Sequence, residues 1–593
     1  MLVALAQIRP AKVDYAENLR RVGAVISQVS QWDESPGLIV FGETLMSGYF
    51  LEGGVRESAV TAGTLYRDLS EVHARAQAPP LDICLGFYEE RHSRIFNSAL
   101  YATFGGDDAG IRHVHRKVFL PTYALFDEQR FVDAGHSVRA FDTAWGRVAI
   151  LICEDVWHSA SSTVAALDGA QLILVPSASP ARGIAPIPSG AINITETWDR
   201  VMRRVAEEHG VYAALIQIVG FEGGKGFQGC SIFVGPDGEI VARAPEFEEA
   251  VLRVRLDKRA LARARADQPL LSDLEVALPN LLRDRGSDRR EPLRYDRAEG
   301  ETTAVDVPPP ARHRVVDPCP RGDPLAIDPA LAERWLVTFL REEVSGRRGF
   351  TKSIVALSGG VDSSVSATLA TRAFGPENVI GVRLPYRTSS SESVEHAALV
   401  AAQLGIELLT IDISDAVDGF YAAAGEDGSP ARRGNVMARM RMIALFDLSA
   451  KFAALPLGTG NKTERLLGYF TWHADDSPPV NPLGDLFKTQ VWALARHLGV
   501  PDAIVEKPAT ADLIEGQTDE DDLGISYPEA DLILYWLVSG LSPDEIVERG
   551  FPSAKVGLVK RRLDTTHWKR RLPTVAMVSG TAIGESYLRP VDY

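Results

Sequence analysis

Three residues in the first half of this 593-residue sequence have types that together could break an amide-like bond. Cys153 ends the apolar run Val148-Ala-Ile-Leu-Ile-Cys153, Glu43 follows Leu38-Ile-Val-Phe41, and Lys117 precedes the apolar and aromatic stretch Val118-Phe-Leu-Pro-Thr-Tyr123. A thiol is only slightly ionised at neutral pH, so a cysteine nucleophile needs a base beside it. A carboxylate can take that proton and later return it to a departing nitrogen. A lysine ammonium supplies positive charge where an oxyanion develops. A strand tip is where α/β folds commonly present such groups, although a lone cysteine is more often a buried structural thiol.

The second half carries a different constellation, Ser358-Gly-Gly-Val-Asp-Ser363, between an apolar run and a helical pattern. Glycines let a backbone approach a phosphate closely, and a helix N-terminus turns free N–H groups and its positive dipole end toward it. Ser358 and Ser363 add hydroxyl donors. The Asp362 carboxylate would repel a phosphate unless a divalent cation stood between them, which argues for Mg²⁺. No Gly-Lys-Ser/Thr follows, so this is not the common P-loop.

Both sets need strands to hold them. Short β-branched runs alternate with amphipathic stretches through the first half, with candidate strands at Leu38–Phe41, Ile83–Tyr88, Arg147–Cys153, Leu172–Pro176 and Val211–Val219. Gly235-Pro-Asp-Gly238 makes a turn between two further strands, Ser231–Val234 and Glu239–Ala244. Asp328-Pro329 supplies an N-cap and a first-turn proline for a helix over Ala330–Glu343. Ser353–Leu357, Val379–Leu384 and Glu407–Asp412 read as parallel strands, with a helix from Asp362 to Ala373. Between them, 283–290 is dense in charge and Val307-Pro-Pro-Pro310 in proline. This divides the chain into 1–265, an extended linker over 266–325, and 326–593.

Composition excludes several classes. Acidic residues outnumber basic ones by 79 to 63 with no long basic block, which argues against a nucleic-acid partner. The four cysteines are far apart, neither a disulfide framework nor a zinc cluster. No apolar stretch approaches the ~20 residues that span a bilayer. These features suit a cytoplasmic protein with no membrane partner.

The contexts of Glu43, Lys117 and Cys153, in that chain order, resemble the nitrilase superfamily. The resemblance implies an α-β-β-α sandwich, with Glu43 as base, Lys117 at the oxyanion and Cys153 as nucleophile. It implies that Glu128 supports the site and that Tyr123, Ser179 and Arg182 bind glutamine, Arg182 standing in for a lysine that some relatives carry where this chain has Ala185. The six-residue loop resembles that of the ATP-pyrophosphatases, which cleave ATP to AMP and pyrophosphate. Pro385-Tyr-Arg387-Thr-Ser-Ser390, Gly434-Asn435-Val-Met-Ala-Arg439, Gly458-Thr459-Gly-Asn-Lys-Thr-Glu464, Gly468-Tyr-Phe-Thr471, Pro482-Leu-Gly-Asp-Leu-Phe-Lys488 and Gly516-Gln-Thr-Asp-Glu520 further resemble the NAD synthetases. Taken whole, the chain resembles the glutamine-dependent NAD⁺ synthetase family.

That resemblance implies a doubly wound parallel sheet in the second half and a homo-oligomer, a dimer at least. ATP would meet Ala356, Leu357, Ser358, Gly359, Gly360, Val361, Asp362, Ser363, Arg387, Thr459, Lys488 and Thr510. Deamido-NAD⁺ would meet Asn435, Arg439, Glu464, Asp475 and Lys569, and Mg²⁺ would be held by Asp362 and Glu464. Two departures stand out: Ala474 precedes Asp475 where relatives often have glycine, and Trp568 occupies a position usually His, Tyr or Phe.

Overall fold

The computed structural model describes residues 1–51, 54–123, 125–186, 192–283, 322–425, 428–510 and 518–571. Cys319, the 307–310 proline run and positions 516–517 lie outside the described residues.

Strand Leu2–Gln7 shows why the first half is a four-layer sandwich. Its side chains alternate in direction, yet both sets are apolar: Val3 and Leu5 enter one buried cluster, Ala4 and Ala6 another. Both faces of its sheet must therefore be covered. That sheet runs Ala250–Arg255, Leu2–Gln7, Leu38–Phe41, Leu81–Arg91, Arg94–Phe104 and Gly110–Arg116. A second sheet runs Ile240–Arg243, Ile232–Val234, Tyr212–Gln217, Leu172–Ser177, Arg147–Ile150 and Ala140–Asp142. Val3, Leu5, Val40 and Tyr101 of the first sheet share one buried cluster with Ile150, Leu174, Leu215 and Phe233 of the second. Helices Tyr15–Ser30 and Ala62–Ala76 cover the first sheet through Val22, Ile26, Leu65 and Leu69. Helix Asn193–His209 packs on the second through Trp198 and Met202. This is the α-β-β-α sandwich that the nitrilase resemblance implied.

In the second half the described strands lie in the order Glu407–Thr410, Val379–Arg383, Lys352–Ala356, Ala454–Leu457, all parallel. The first strand in the chain thus has its second neighbour on one side and its fourth on the other. Such a switch in winding direction opens a crevice beyond the strands' C-terminal ends, where ligands bind in doubly wound sheets. Helix Val361–Phe374 starts there.

The halves touch along helix Pro329–Leu340, capped by Asp328 as its sequence implied. Asp328 N–H donates to the Ile184 carbonyl at 2.8 Å, and Arg334 pairs with Glu246 at 3.1 Å. Phe339 meets Phe221 edge-on at 5.9 Å between ring centroids. Among the described residues no helix is long and apolar enough to cross a membrane.

Three expectations are corrected. Residues 266–325 are not extended throughout, because helix Leu270–Arg283 fills their first part. Leu270, Leu274 and Leu278 recur at helical spacing there, a signal masked by the charge and proline that follow. The strand expected to reach Cys153 ends at Ile150, and Cys153 opens a single 3₁₀ turn with φ +45°. The expected Val211–Val219 strand is two, Tyr212–Gln217 and Val219–Glu222, the second in a hairpin with Lys225–Gln228.

One glycine is dictated by close approach. A Cβ on Gly86 would lie 2.6 Å from Glu43 Cα, Gly42 O and Thr44 N, all backbone with no freedom to move aside. Gly86→Ala should cost the N-terminal half about 1–3 kcal/mol of stability. Chemical denaturation followed by tryptophan fluorescence reads this, and an unshifted midpoint would contradict the packing described.

Candidate active sites

Glu43, Lys117 and Cys153 each stand just past the C-terminal end of a strand, the first two from one sheet and the third from the other. The sandwich brings them together. Lys117 is fully buried, and its Nζ lies 2.8 Å from Glu43 Oε1 and 2.9 Å from Glu128 Oε1. Asn97 Nδ2 donates to the same two oxygens at 2.7 and 3.1 Å. The second carboxylate oxygen of Glu43 accepts from Ala178 N–H at 2.7 Å. Ser177 Oγ donates to Cys153 Sγ at 3.3 Å.

The electrostatics follow from burial. Burial, then the negative charge of Glu43, pushes the Cys153 thiol well above its ordinary value against the opposing pull of Lys117. The resting group is therefore a thiol, to be deprotonated as it attacks. Burial works against the Lys117 ammonium, but the charges of Glu128 and Glu43 outweigh it and hold the proton on. Burial raises Glu128, with Lys117 opposing.

A further carboxylate shapes the turn. Asp155, fully buried, accepts from the backbone N–H groups of Ile152, Val118 and Phe119 at 2.9–3.0 Å and meets His115 Nε2 at 2.8 Å. It ties the Cys153 turn to the segment that carries Lys117. Glu222 likewise accepts from Tyr49 and Phe50 N–H, pinning the loop after Glu43. Of the glutamine-site candidates, Tyr123 is exposed and its hydroxyl donates to Glu154 at 2.9 Å, while the Arg182 guanidinium lies 5.7 Å from the Phe126 ring centre. Buried Ser179 donates its N–H to Gln217.

The second site is a cleft of about 300 Å³ at the sheet's switch point, lined by Ala356, Ser358, Gly360, Val361, Asp362 and Ser363 together with Thr459, Glu464, Asp475, Lys488 and Thr510. Gly359 has φ +78°, and a Cβ on it would sit 2.2 Å from Ser393 O, so only glycine fits. Leu357 is buried beneath the loop, its N–H bonded to Val382 O. Ser363 Oγ donates to Gly360 O at 3.0 Å and lies 3.2 Å from Ser358 Oγ, closing the loop on itself.

Lys488 is buried, ion-paired with Asp362, and 3.9 Å from Glu464. Asp531 braces this lysine's backbone by accepting from Thr463 Oγ1 and Thr489 N–H, and Lys488 N–H donates to Thr463 Oγ1. Burial, then the charge of Asp362, pushes Glu464 up to about 8. Two carboxylates crowded at a phosphate loop fit a Mg²⁺ ion, which takes one or two carboxylates and completes its shell with phosphate oxygens and water. Among the described residues no group of three or more metal-ligating side chains is assembled.

Asn435 and Arg439, one turn apart on helix Pro430–Phe452, both reach the segment that ends in Asp475. Thr471 Oγ1 donates to Asn435 Oδ1 at 3.2 Å, Arg439 donates to Trp472 O at 3.2 Å, and Thr471 N–H donates to Asp475 at 2.7 Å. Lys569 donates to Gly468 O and Phe470 O, closing the other side. Arg387 is not brought to the cleft; it turns outward into an ion pair with Asp418. Asn97, Ser177, Asp155, Glu222 and Asp531 escaped sequence reasoning. Of these only Asp155 and Ser177, adjoining the cysteine and Ser179 segments, left a local signal.

Comparison with known proteins agrees with this division. The carbon-nitrogen hydrolase family matches residues 2–266, and the NAD synthase family matches residues 333–573. The NH(3)-dependent NAD(+) synthetase of Chlorobaculum tepidum is 46% identical over 270 residues, 45% of this chain and 97% of that protein. That of Trichlorobacter lovleyi is 45% identical over 270 residues, covering 45% and 98%. Among solved structures, the glutamine-dependent NAD+ synthetase of Acinetobacter baumannii in complex with ADP aligns with TM-score 0.69 and 24% identity over 100% of this chain and 98% of that one. The glutamine-dependent NAD(+) synthetase of Cytophaga hutchinsonii aligns with TM-score 0.67 and 13% identity over 96% and 93%. The whole two-part fold is thus shared, not only its halves.

Glu464 makes the second site testable without substrates. Its folded value of about 8 stands above the ordinary carboxylate value, so between pH 4.5 and 8 the folded chain keeps a proton the unfolded chain has lost. Stability contributed by this group is complete below pH 4.5 and is lost as pH rises to 8. Glu464→Gln removes the ionisation, so its melting temperature should gain on the wild type across that window and then hold its lead. A lead independent of pH would refute the crowding of these carboxylates.

Proposed function

We infer a two-site synthesis from one premise: the chain belongs to the NAD synthase family and carries a carbon-nitrogen hydrolase domain ahead of it. The first site hydrolyses glutamine to glutamate and ammonia. The second adenylates deamido-NAD⁺ with ATP and replaces AMP by that ammonia to give NAD⁺, the last step in making that dinucleotide.

At the first site, Glu43 takes the Cys153 proton as Sγ attacks the glutamine amide carbon. The developing oxyanion lies within reach of the Lys117 ammonium, which burial and two carboxylates keep charged at neutral pH. Collapse of the tetrahedral species breaks the C–N bond, Glu43 returns the proton, and ammonia leaves a thioester on Cys153. Glu43 then activates water, which releases glutamate and restores the thiol. Tyr123, Glu128, Ser179 and Arg182 hold the glutamine and its surroundings. The raised thiol value makes proton transfer part of the attack and not a prior equilibrium.

At the second site, the deamido-NAD⁺ carboxylate attacks the α-phosphate of ATP, forming an acyl-adenylate and expelling pyrophosphate. Ammonia then attacks the acyl carbon and AMP departs. The Ser358–Ser363 loop presents N–H groups and hydroxyls to the phosphates, and Lys488 neutralises charge gathering on pyrophosphate. Mg²⁺, held by Asp362 and Glu464, would screen phosphate oxygens from these carboxylates. Asn435, Arg439, Asp475 and Lys569 bind deamido-NAD⁺, with Thr459 and Thr510 at the nucleotide. The reading also makes this a cytoplasmic enzyme working as a homo-oligomer of two or more copies.

The observation that carries this reading is the presence, in one chain, of a buried Glu43–Lys117–Cys153 centre and a phosphate loop facing a buried lysine. Cys153→Ala should lower glutamine-driven NAD⁺ formation at least roughly 1000-fold. With ammonium chloride as nitrogen source the same variant should match the wild type. Loss of both activities in a folded variant would overturn the division of labour.

A further inference from the structure

A cavity of about 320 Å³ opens on the first sheet, sharing no lining residue with the synthetase cleft or the Glu43–Lys117–Cys153 set, between the hairpin turn at His92, strand Gly110–Arg116 and the segment Gly135–Ser137. Its walls carry Arg91, Arg94, Arg116, His92, His113 and His136. Two guanidiniums crowd one ring: the Arg94 and Arg116 carbons lie 5.1 and 5.5 Å from the Phe96 centroid. Among the described residues no acid lines the cavity, and the acids paired with its lining residues are already engaged, Asp133 with Arg94 at 2.8 Å, Glu89 with Arg116 at 2.6 Å, and Asp155 with His115.

That leaves positive charge in surplus. Among the described residues Arg91 forms no ion pair, and the buried Nε of Arg116 has no hydrogen-bond partner. Burial, then the positive neighbours His115, Arg116 and Arg139, pushes His113 down to about 4. A guanidinium donates two parallel hydrogen bonds to a tetrahedral oxyanion, and several converging guanidiniums match a dianion better than a carboxylate. The volume suits a small molecule.

We propose that this cavity is a separate anion site that takes a phosphate-bearing small molecule, held by Arg91, Arg94 and Arg116. It stands on the strand that runs into Lys117, and Gly135 N–H, on its wall, is bonded to Lys117 O at 2.7 Å. The site therefore adjoins the glutaminase centre from behind without sharing its substrate pocket.

Isothermal titration of the full chain with inorganic pyrophosphate, and separately with ribose 5-phosphate, tests the assignment. The two probes distinguish a free polyphosphate from a sugar phosphate. Arg91→Ala/Arg94→Ala should weaken binding of at least one probe tenfold or more while ammonia-driven NAD⁺ formation stays unchanged. Pyrophosphate bound in the synthetase cleft persists in both proteins and drops out of the comparison. Arg91→Gln, which breaks no ion pair, is the second variant and should weaken the same event several-fold. Identical isotherms for wild type and variants with both probes would overturn the proposal. So would unchanged isotherms with an altered sedimentation profile, which would make the patch a contact between copies.

Discussion

Lys117 places an ammonium group where no water reaches it, and the N-terminal half is arranged around keeping that charge paired. An isolated buried charge is strongly destabilising, and removing one partner of a buried pair typically costs about 3–5 kcal/mol. Glu43 and Glu128 supply the opposite charge, Asn97 bridges both carboxylates, and Ala178 N–H holds the free oxygen of Glu43. Ala178 follows a strand of the second sheet, whereas Glu43, Asn97 and Lys117 belong to the first. The lysine thereby couples the facing of the two sheets to the position of Glu43, the proposed base, so the stabilising network is also the set of bonds proposed for the chemistry.

The second half solves a related problem with its own buried lysine. Lys488 is held between Asp362 and Glu464 at the mouth of a phosphate loop, and the neighbouring Asp531 satisfies the backbone around it. Here burial, and then the charge of Asp362, raises Glu464 against the pull of Lys488. Both centres set two carboxylates against one ammonium; the first is closed around its lysine, and the second opens on the cleft.

Glu43, Cys153 and the Ser358–Ser363 loop were legible in sequence because each follows an apolar run at a strand's end, and Lys117 because it stands just ahead of one. The sheets and most strands were legible for the same reason. What escaped reading depends on contacts between distant segments. Asn97 is one polar residue inside a strand, and nothing local says that Glu43, 54 positions earlier, will face it. Arg387, placed at the nucleotide by its motif, pairs in this structure with Asp418, 31 positions on, a contact no local pattern announces. The positive φ of Cys153, which turns its thiol out of the strand's line, leaves no mark in composition at all.

The central claim is that nitrogen released at Cys153 is the nitrogen installed at the second site. Supplying the enzyme with amide-¹⁵N glutamine, ATP and deamido-NAD⁺, and reading the product by mass spectrometry, tests it most directly. The account predicts NAD⁺ one mass unit heavier, the label in its carboxamide, formed with pyrophosphate and AMP. Unlabelled NAD⁺, or glutamate released while deamido-NAD⁺ stays unchanged, would contradict it.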